Sequence, residues 1–132
     1  MKIVICGGRD FSDIDLFLTE IHAILEDKHD FTIIQGGATG ADSFAKQYAE
    51  MNNFKHEEYK AAWDDLDAPG AVIKINKKTG KPYNIRAGHD RNFVMLDLAD
   101  MVVAFWDGKS PGTGEMVREA TKRNIPLVVV NY

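Results

Sequence analysis

The chain has 132 residues, enough for one hydrophobic core, and is read as one domain over residues 1–132. Hydrophobic residues make up 45% and charged residues 27%, an ordinary globular balance, and no apolar run approaches the ~20 residues of a membrane helix. A net charge of −4 argues against nucleic-acid binding through a basic stripe, and a lone cysteine excludes an internal disulfide and a multi-cysteine zinc site.

Residues 2–6 form a short β-branched run, read as the first strand. The run is too short for a signal peptide and leads straight into the fold, so the cytoplasm is the expected compartment. Gly7-Gly8-Arg9-Asp10 ends it. Ser12 is the expected N-cap of a helix over 13–28, with Asp13 and Asp15 in its first turn and Leu16, Ile21, Ile24 and Leu25 at helical spacing. Residues 31–34 read as a second strand, 39–52 as a helix with Phe44, Ala45, Tyr48 and Ala49 inward, and 56–59 as a short third strand. Residues 60–85 break the alternation. Ala68-Pro69-Gly70 is a turn, and 72–84 reads as a β-hairpin around Lys77-Lys78-Thr79-Gly80. Lys74, Lys77, Lys78 and Lys81 are read as its solvated surface rather than as a nucleic-acid patch. A helix over 86–98, a strand over 101–105, a helix over 113–124 and a strand over 126–130 follow.

Strands that are nearly all apolar and alternate with helices predict a parallel sheet covered on both faces. The fold class is α/β: a Rossmann-like three-layer sandwich with a parallel sheet of about five strands and a small β-hairpin insertion. In such a fold the ligand lies beyond the carboxyl ends of the strands, where three glycine-bearing loops open.

Gly7 and Gly8 let backbone approach a ligand, leaving Arg9 to pair with phosphate or carboxylate. A tight turn with Arg9 held by Asp10 or Asp13 accounts for the same residues. Gly-x-Gly-x-x-Gly is absent, against an NAD enzyme, and Gly36-Gly37-Ala38-Thr39-Gly40-Ala41-Asp42 lacks the Lys-Ser/Thr of a P-loop. That second loop is expected to meet phosphate or ribose closely, with Asp42 either on a ribose hydroxyl or serving the helix dipole. Arg91 is placed to hold phosphate and Asn92 to bond a sugar or base, unless Arg91 pairs with Asp90 or Asp97 on a solvated face. Ser110, Gly112 and Thr113 make a phosphate cradle at a helix start. Trp63 and Trp106 are candidates to stack on a base, with core packing as the alternative for each. His22, His29 and His56 lack metal-ligand spacing, Asp64, Asp65 and Asp67 read as a polar loop, with Mg²⁺ held through water as the alternative, and Cys6 as a small buried residue, so no metal site is expected.

As an ordered set these pieces resemble the SLOG superfamily, in its YspA/YpsA-related branch of small stand-alone proteins, over nearly the whole chain. The set comprises Gly-Gly-Arg-Asp after the first strand, Gly-Gly-Ala-x-Gly-Ala-Asp after the second, and Ala62-Trp63 after the third. It continues with Gly88-x-x-Arg91-Asn92-x-x-Met95, Ala99-Asp100 and Phe105-Trp106-x-Gly108-x-Ser110-x-Gly112-Thr113. The resemblance implies binding of a nucleotide or an ADP-ribose-like, even cyclic, signal by a sensor or sequestering protein. No cofactor is assigned beyond the nucleotide-type ligand itself, whose phosphates could bring Mg²⁺. The resemblance also implies a homo-oligomer, dimer or higher, for which the Phe93, Met95 and Met116 region is a candidate face unless those residues are core.

The Lonely Guy enzymes of the same superfamily hydrolyse the N-glycosidic bond of nucleoside monophosphates and carry Arg-Lys-x-x-Met and Pro-Gly-Gly-x-Gly-Thr-x-x-Glu. Arg91 and Met95 match the first motif, with Asn92 replacing lysine. Gly112-Thr113 matches the second, but Met116 stands at the glutamate position. A cationic ribosyl centre needs a carboxylate. Glu115 is turned by about 100° from that position and is expected to point elsewhere, leaving Asp42 or Asp10. The expected function is therefore ligand binding through Gly7, Gly8, Arg9, Gly36, Gly37, Ala38, Thr39, Gly40, Asp42, Trp63, Arg91, Asn92, Trp106, Ser110, Gly112 and Thr113. Phosphoribohydrolase activity through Arg91, Asp42 and Glu115 is the alternative. Nucleic-acid binding is a second alternative, because a DNA-uptake protein shares the superfamily fold. On charge no nucleic-acid partner is expected, and for want of a long apolar run no membrane partner.

Overall fold

The computed structural model describes residues 1–132. Along β1 (Lys2–Gly7) alternate side chains are sealed on opposite faces: Ile3 and Ile5 pack into one apolar layer, Val4 and Cys6 into the other. β6 (Met101–Trp106) repeats the pattern, with Met101, Val103 and Phe105 on the first face and Val102 and Ala104 on the second. Period-two alternation with both faces apolar is what a central parallel strand requires. With β2 (Thr32–Gln35), β3 (Lys55–Glu58) and β7 (Leu127–Asn131) they form a five-stranded sheet of order β3-β2-β1-β6-β7, parallel throughout.

α1 (Ile14–Leu25) and α2 (Ala41–Met51) cover one face, and α3 (Arg86–Leu98) and α4 (Pro111–Lys122) the other. A separate antiparallel pair, β4 (Ile73–Ile75) and β5 (Pro82–Asn84), forms the small hairpin. The architecture is the expected α/β, Rossmann-like sandwich. Phe17 and Phe105 stack at 5.1 Å in the first layer, both wholly buried, and truncating either to Ala would cost roughly 3–5 kcal/mol. No helix is long and apolar enough to cross a membrane.

Strand order reverses between β1 and β6, because the chain builds outward through β2 and β3 and then returns to the other side of β1. Loops leaving the carboxyl ends of β1 and β6 diverge there, which opens a crevice. The sheet's two outer strands differ in chemistry: β3 reads Lys-His-Glu-Glu, β7 Leu-Val-Val-Val-Asn.

Several boundaries depart from expectation for local reasons. Asp13, not Ser12, caps α1, its Oδ1 accepting from the Leu16 N–H at 3.0 Å. α2 starts at Ala41 because Gly40 takes φ 73° and ψ −125°, far from helical values. α4 starts at Pro111, whose fixed φ and missing N–H suit the first helical position. α1 buries Phe17 with Ile21 and Leu25, while Leu16 and Ile24 only flank the core. In α2, Ala41, Ala45 and Ala49 face the sheet, and Phe44 and Tyr48 pack at its side. Met95 and Met116 are 2% and 1% exposed, and Phe93 is half-buried with the Arg123 guanidinium 5.3 Å from its ring centre. The apolar face expected to join subunits is therefore spent inside the chain.

Candidate functional site

The crevice holds a cavity of about 580 Å³. The loop after β1 contributes Gly7, Gly8, Arg9 and Asp10, and the α2 approach contributes Ala38 and Asp42. Trp63 and Ile85 come from the connection around the hairpin; Gly88, His89, Arg91, Asn92 and Met95 from α3; and Ser110, Pro111, Gly112, Thr113, Glu115 and Met116 from α4 and its cap. A second groove of about 350 Å³ adjoins it, bounded by Gly36, Gly37, Thr39, Lys60 and Ala61 and sharing Arg9, Ala38, Trp63 and Arg91 with the first. Of the residues read from sequence, Gly40 and Trp106 border neither space.

Gly40 acts by letting two loops touch. Its φ of 73° is open to glycine, and a Cβ there would collide with the Gly8 carbonyl and the Arg9 backbone. The Gly8 carbonyl accepts from Ala41 N–H at 3.4 Å, and the Arg9 carbonyl from the Thr39 hydroxyl at 3.0 Å, so the first two loops are stitched together. Trp106 is also structural: its indole N–H donates to the Ser110 carbonyl at 3.1 Å, fixing the bend before α4. Trp63 remains at the cavity wall, and a Cβ at Gly88 would strike its ring, so α3 is shaped around it.

Neither arginine is neutralised. Asp90 pairs with Arg86 at 3.6 Å and Asp97 with Arg123 at 2.8 Å, so neither takes Arg91. Arg91 donates to the carbonyls of Gly36 and Tyr59 and, through Nε, to Asn92 Oδ1 at 3.0 Å. Burial pulls its guanidinium below the ordinary value, the nearby Arg9 charge pulling the same way against Asp42, yet it stays cationic at neutral pH. Arg9 is exposed, with its guanidinium carbon 5.4 Å from the Trp63 ring centre. The carboxylates expected to hold it are engaged elsewhere: Asp10 accepts from the Tyr132 hydroxyl at 3.0 Å, and Asp13 caps α1.

The phosphate-binding expectation divides between the two helix starts. In the second loop the N–H groups are largely committed, Gly37 to Gln35 Oε1 at 2.5 Å, Ala38 to Asp42 Oδ2 at 3.1 Å, and Ala41 to Gly8. At α4, by contrast, the N–H groups of Gly112 and Thr113 have no acceptor in the chain. The last loop therefore keeps the free donors. Asp42 is 6% exposed, and burial raises its carboxyl above the ordinary aspartate value, more than the Ala38 N–H and Arg91 lower it. Burial likewise pushes the Cys6 thiol up, keeping it protonated.

Glu115 corrects the expectation that it points away. It lines the cavity, with Oε2 2.5 Å from His89 Nδ1 and Oε1 accepting from Asn92 Nδ2 at 3.3 Å. Met116 takes the inward, buried position instead, and a 100° turn from it still faces α3 across the crevice. His89 went unread as a site residue, although it lies three residues before Asn92, the spacing of one helix face. Lys60, in the second groove, had no motif to announce it.

Comparison with known proteins bears on this edge. The chain is 30% identical to the Gene 61 protein of Mycobacterium phage D29, over 96% of this chain and 94% of that protein. Its fold resembles the X-ray structure of DNA processing protein A (DprA) from Streptococcus pneumoniae, with a TM-score of 0.56 and 18% identity, over 98% of this chain. The chain spans 58% of the length of that structure. The likeness overturns the expectation of no nucleic-acid partner, since the same fold occurs in a protein named for processing DNA. Net charge is a poor guide to such a partner, because it sums the whole surface, whereas an anion meets only the local groups. Residues 1–65 match the YspA, cpYpsA-related SLOG family, and the chain belongs to that family.

Proposed function

We propose that the chain binds a nucleotide unit at the carboxyl edge of the sheet. Its phosphate lies between the start of α4 and the Arg9 and Arg91 guanidiniums, its ribose near Asp42, and its base against Trp63. One observation carries the reading: two guanidiniums without carboxylate partners border a cavity whose wall also holds the free N–H groups of Gly112 and Thr113. Unneutralised cations beside free N–H donors select an anion. The volume of about 580 Å³ lies within the range of about 300–1,000 Å³ usual for small-ligand sites.

Of the two carriers of such a unit, a nucleic-acid strand is better supported than a free signalling nucleotide, by the fold shared with DNA processing protein A. An unpaired nucleotide in a strand offers the cavity the same phosphate and the same base face. The test is calorimetric titration of the full chain with dTMP, with ADP-ribose, and with single-stranded oligothymidylate of about 20 nucleotides. Tight oligonucleotide binding that dTMP competes away supports the reading. Tight ADP-ribose binding with no oligonucleotide binding puts the free ligand first, and no binding by any of the three overturns the site.

Hydrolysis of the N-glycosidic bond is a second reading, favoured by Glu115 beside His89 in the cavity wall. Glu115 would activate water for attack on the anomeric carbon, and the base would leave with the proton that restores neutrality. Chromatography of nucleoside monophosphate incubated with the chain decides it: free base and ribose 5-phosphate support hydrolysis, and unchanged nucleotide removes it.

A further inference from the structure

The hairpin that interrupts the α/β alternation is charged unlike the rest of the molecule. Residues 68–89 contain five Lys/Arg and no Asp or Glu, which leaves the other 110 residues at −9 against −4 for the whole chain. Lys74, Lys77, Lys78 and Lys81 are all exposed, and none has an ion-pair partner. Lys2, Lys28, Lys46, Lys55 and Lys60 each lie within 4.0 Å of a carboxylate. A solvated surface of ordinary kind mixes the two signs; this segment excludes one of them.

The hairpin is also fastened to the wall of the cavity. Asn84, only 2% exposed, donates its backbone N–H to the Trp63 carbonyl at 2.7 Å. Its Oδ1 accepts from the Val72 and Arg86 N–H groups at 3.1 and 3.0 Å, and its Nδ2 donates to the Asp65 carbonyl at 3.3 Å. Tyr83 of β5 meets Trp63 edge-on, with ring centres 6.3 Å apart. The hairpin, with Lys74 on β4 and Lys77, Lys78 and Lys81 in the connection between its strands, is therefore tied through Asn84 and Tyr83 to the residue proposed to hold a base. Ile73 and Ile75 stand 44% and 60% exposed on either side of Lys74, which gives the hairpin apolar contact area beside its charge.

We propose that this hairpin is an arm that holds single-stranded nucleic acid, extending from the cavity the strand whose one nucleotide lies against Trp63. The proposal rests on the nucleotide reading of the cavity. Four unpaired ammonium groups on one short hairpin, one on β4 and three in the connection between its strands, match a run of phosphates. A base inserted beside Trp63 is unavailable for pairing, so the strand is single. The same chemistry accepts DNA or RNA, and deoxy- and ribo-oligomers of one sequence distinguish them.

The experiment compares the full chain with a variant carrying Lys74→Ser, Lys77→Ser, Lys78→Ser and Lys81→Ser, each at an exposed position outside the cavity. Both are titrated with dTMP and with oligothymidylate of about 20 nucleotides over a range of salt concentrations. The expected result is unchanged dTMP affinity, at least about tenfold weaker oligonucleotide binding at low salt, and a slope of log affinity against log salt shallower by about 2.8, from four released counterions. Unchanged dTMP affinity with an unchanged oligonucleotide slope overturns the arm alone. Equal competition by polyglutamate of similar length also overturns it, in favour of an acidic protein partner. Failure of the parent chain to bind either nucleotide probe overturns the cavity reading and the arm together.

Discussion

The Arg91 guanidinium on α3 donates to the carbonyl of Gly36, 55 residues earlier, tying that helix to the loop after β2. The bond holds a cation at the cavity without neutralising it, because a carbonyl contributes only a dipole. Arg91→Ala should weaken nucleotide binding roughly ten- to hundredfold, the worth of a hydrogen bond to a charged group. Arg91→Lys should not restore it, since an ammonium lacks the planar fork that serves the loop and an anion together. Calorimetry on both variants checks this, and full affinity in Arg91→Ala would deny the residue its role.

Trp63 and Trp106 should separate cleanly by fluorescence. Trp63 borders both spaces, whereas Trp106 is committed to the Ser110 carbonyl. Nucleotide-dependent quenching should persist in Trp106→Phe and vanish in Trp63→Phe. Trp63→Ala should lose about 1–3 kcal/mol of binding, the worth of one stacked base. Quenching that follows Trp106 instead would move the base elsewhere.

Gly40→Ala should destabilise the fold by about 1–3 kcal/mol or more, through a positive φ and collision with the Gly8 and Arg9 backbone. Gly112→Ala is the control, because a Cβ there meets open space. Its effect on stability should stay within about 0.5 kcal/mol. Urea midpoints on the two variants test the contrast, and equal midpoints would contradict it.

Asp42 gives stability a pH dependence of definite sign. Its folded pKa is raised by burial, so the native chain holds a proton where the unfolded chain has released it. Stability from this group is therefore greatest in acid, and falls as pH rises from the ordinary aspartate value to the raised one. Asp42→Asn removes the slope, and its amide oxygen can still accept from the Ala38 N–H. Denaturant midpoints across about pH 3–7 should show the parent losing stability relative to the variant as pH rises. A constant difference would show that the carboxyl titrates normally.

The sequence revealed elements more readily than encounters between them. α3 spans the expected 86–98, and β1, β2, β3, β6 and β7 fall within a residue or two of their expected bounds. Hydrophobic period is a local property, and both faces of β1 and β6 advertise it. Local chemistry misled where two residue types serve one purpose, as when Asp13 rather than Ser12 capped α1. The meeting of Glu115 with His89 across 26 residues depends on how α3 and α4 lie against each other, which neither helix's own period encodes. Trp106 stayed open between a base and packing for a related reason: an indole serves a base or a nearby carbonyl equally well, and the bend at Ser110 supplies the carbonyl.

The unlike outer strands of the sheet determine how the molecule fails. A bare strand edge is a template for another chain, and β7 offers one built of Leu127, Val128 and Val129. The opposite edge, β3, presents Lys55, His56, Glu57 and Glu58, whose charges discourage apolar addition. Endless ribbons need one edge to accept the other, head to tail, and here the two are mismatched. Chains loosened by heat or denaturant should therefore stick through β7 in pairs, and aggregation should stall at small species instead of growing into fibres.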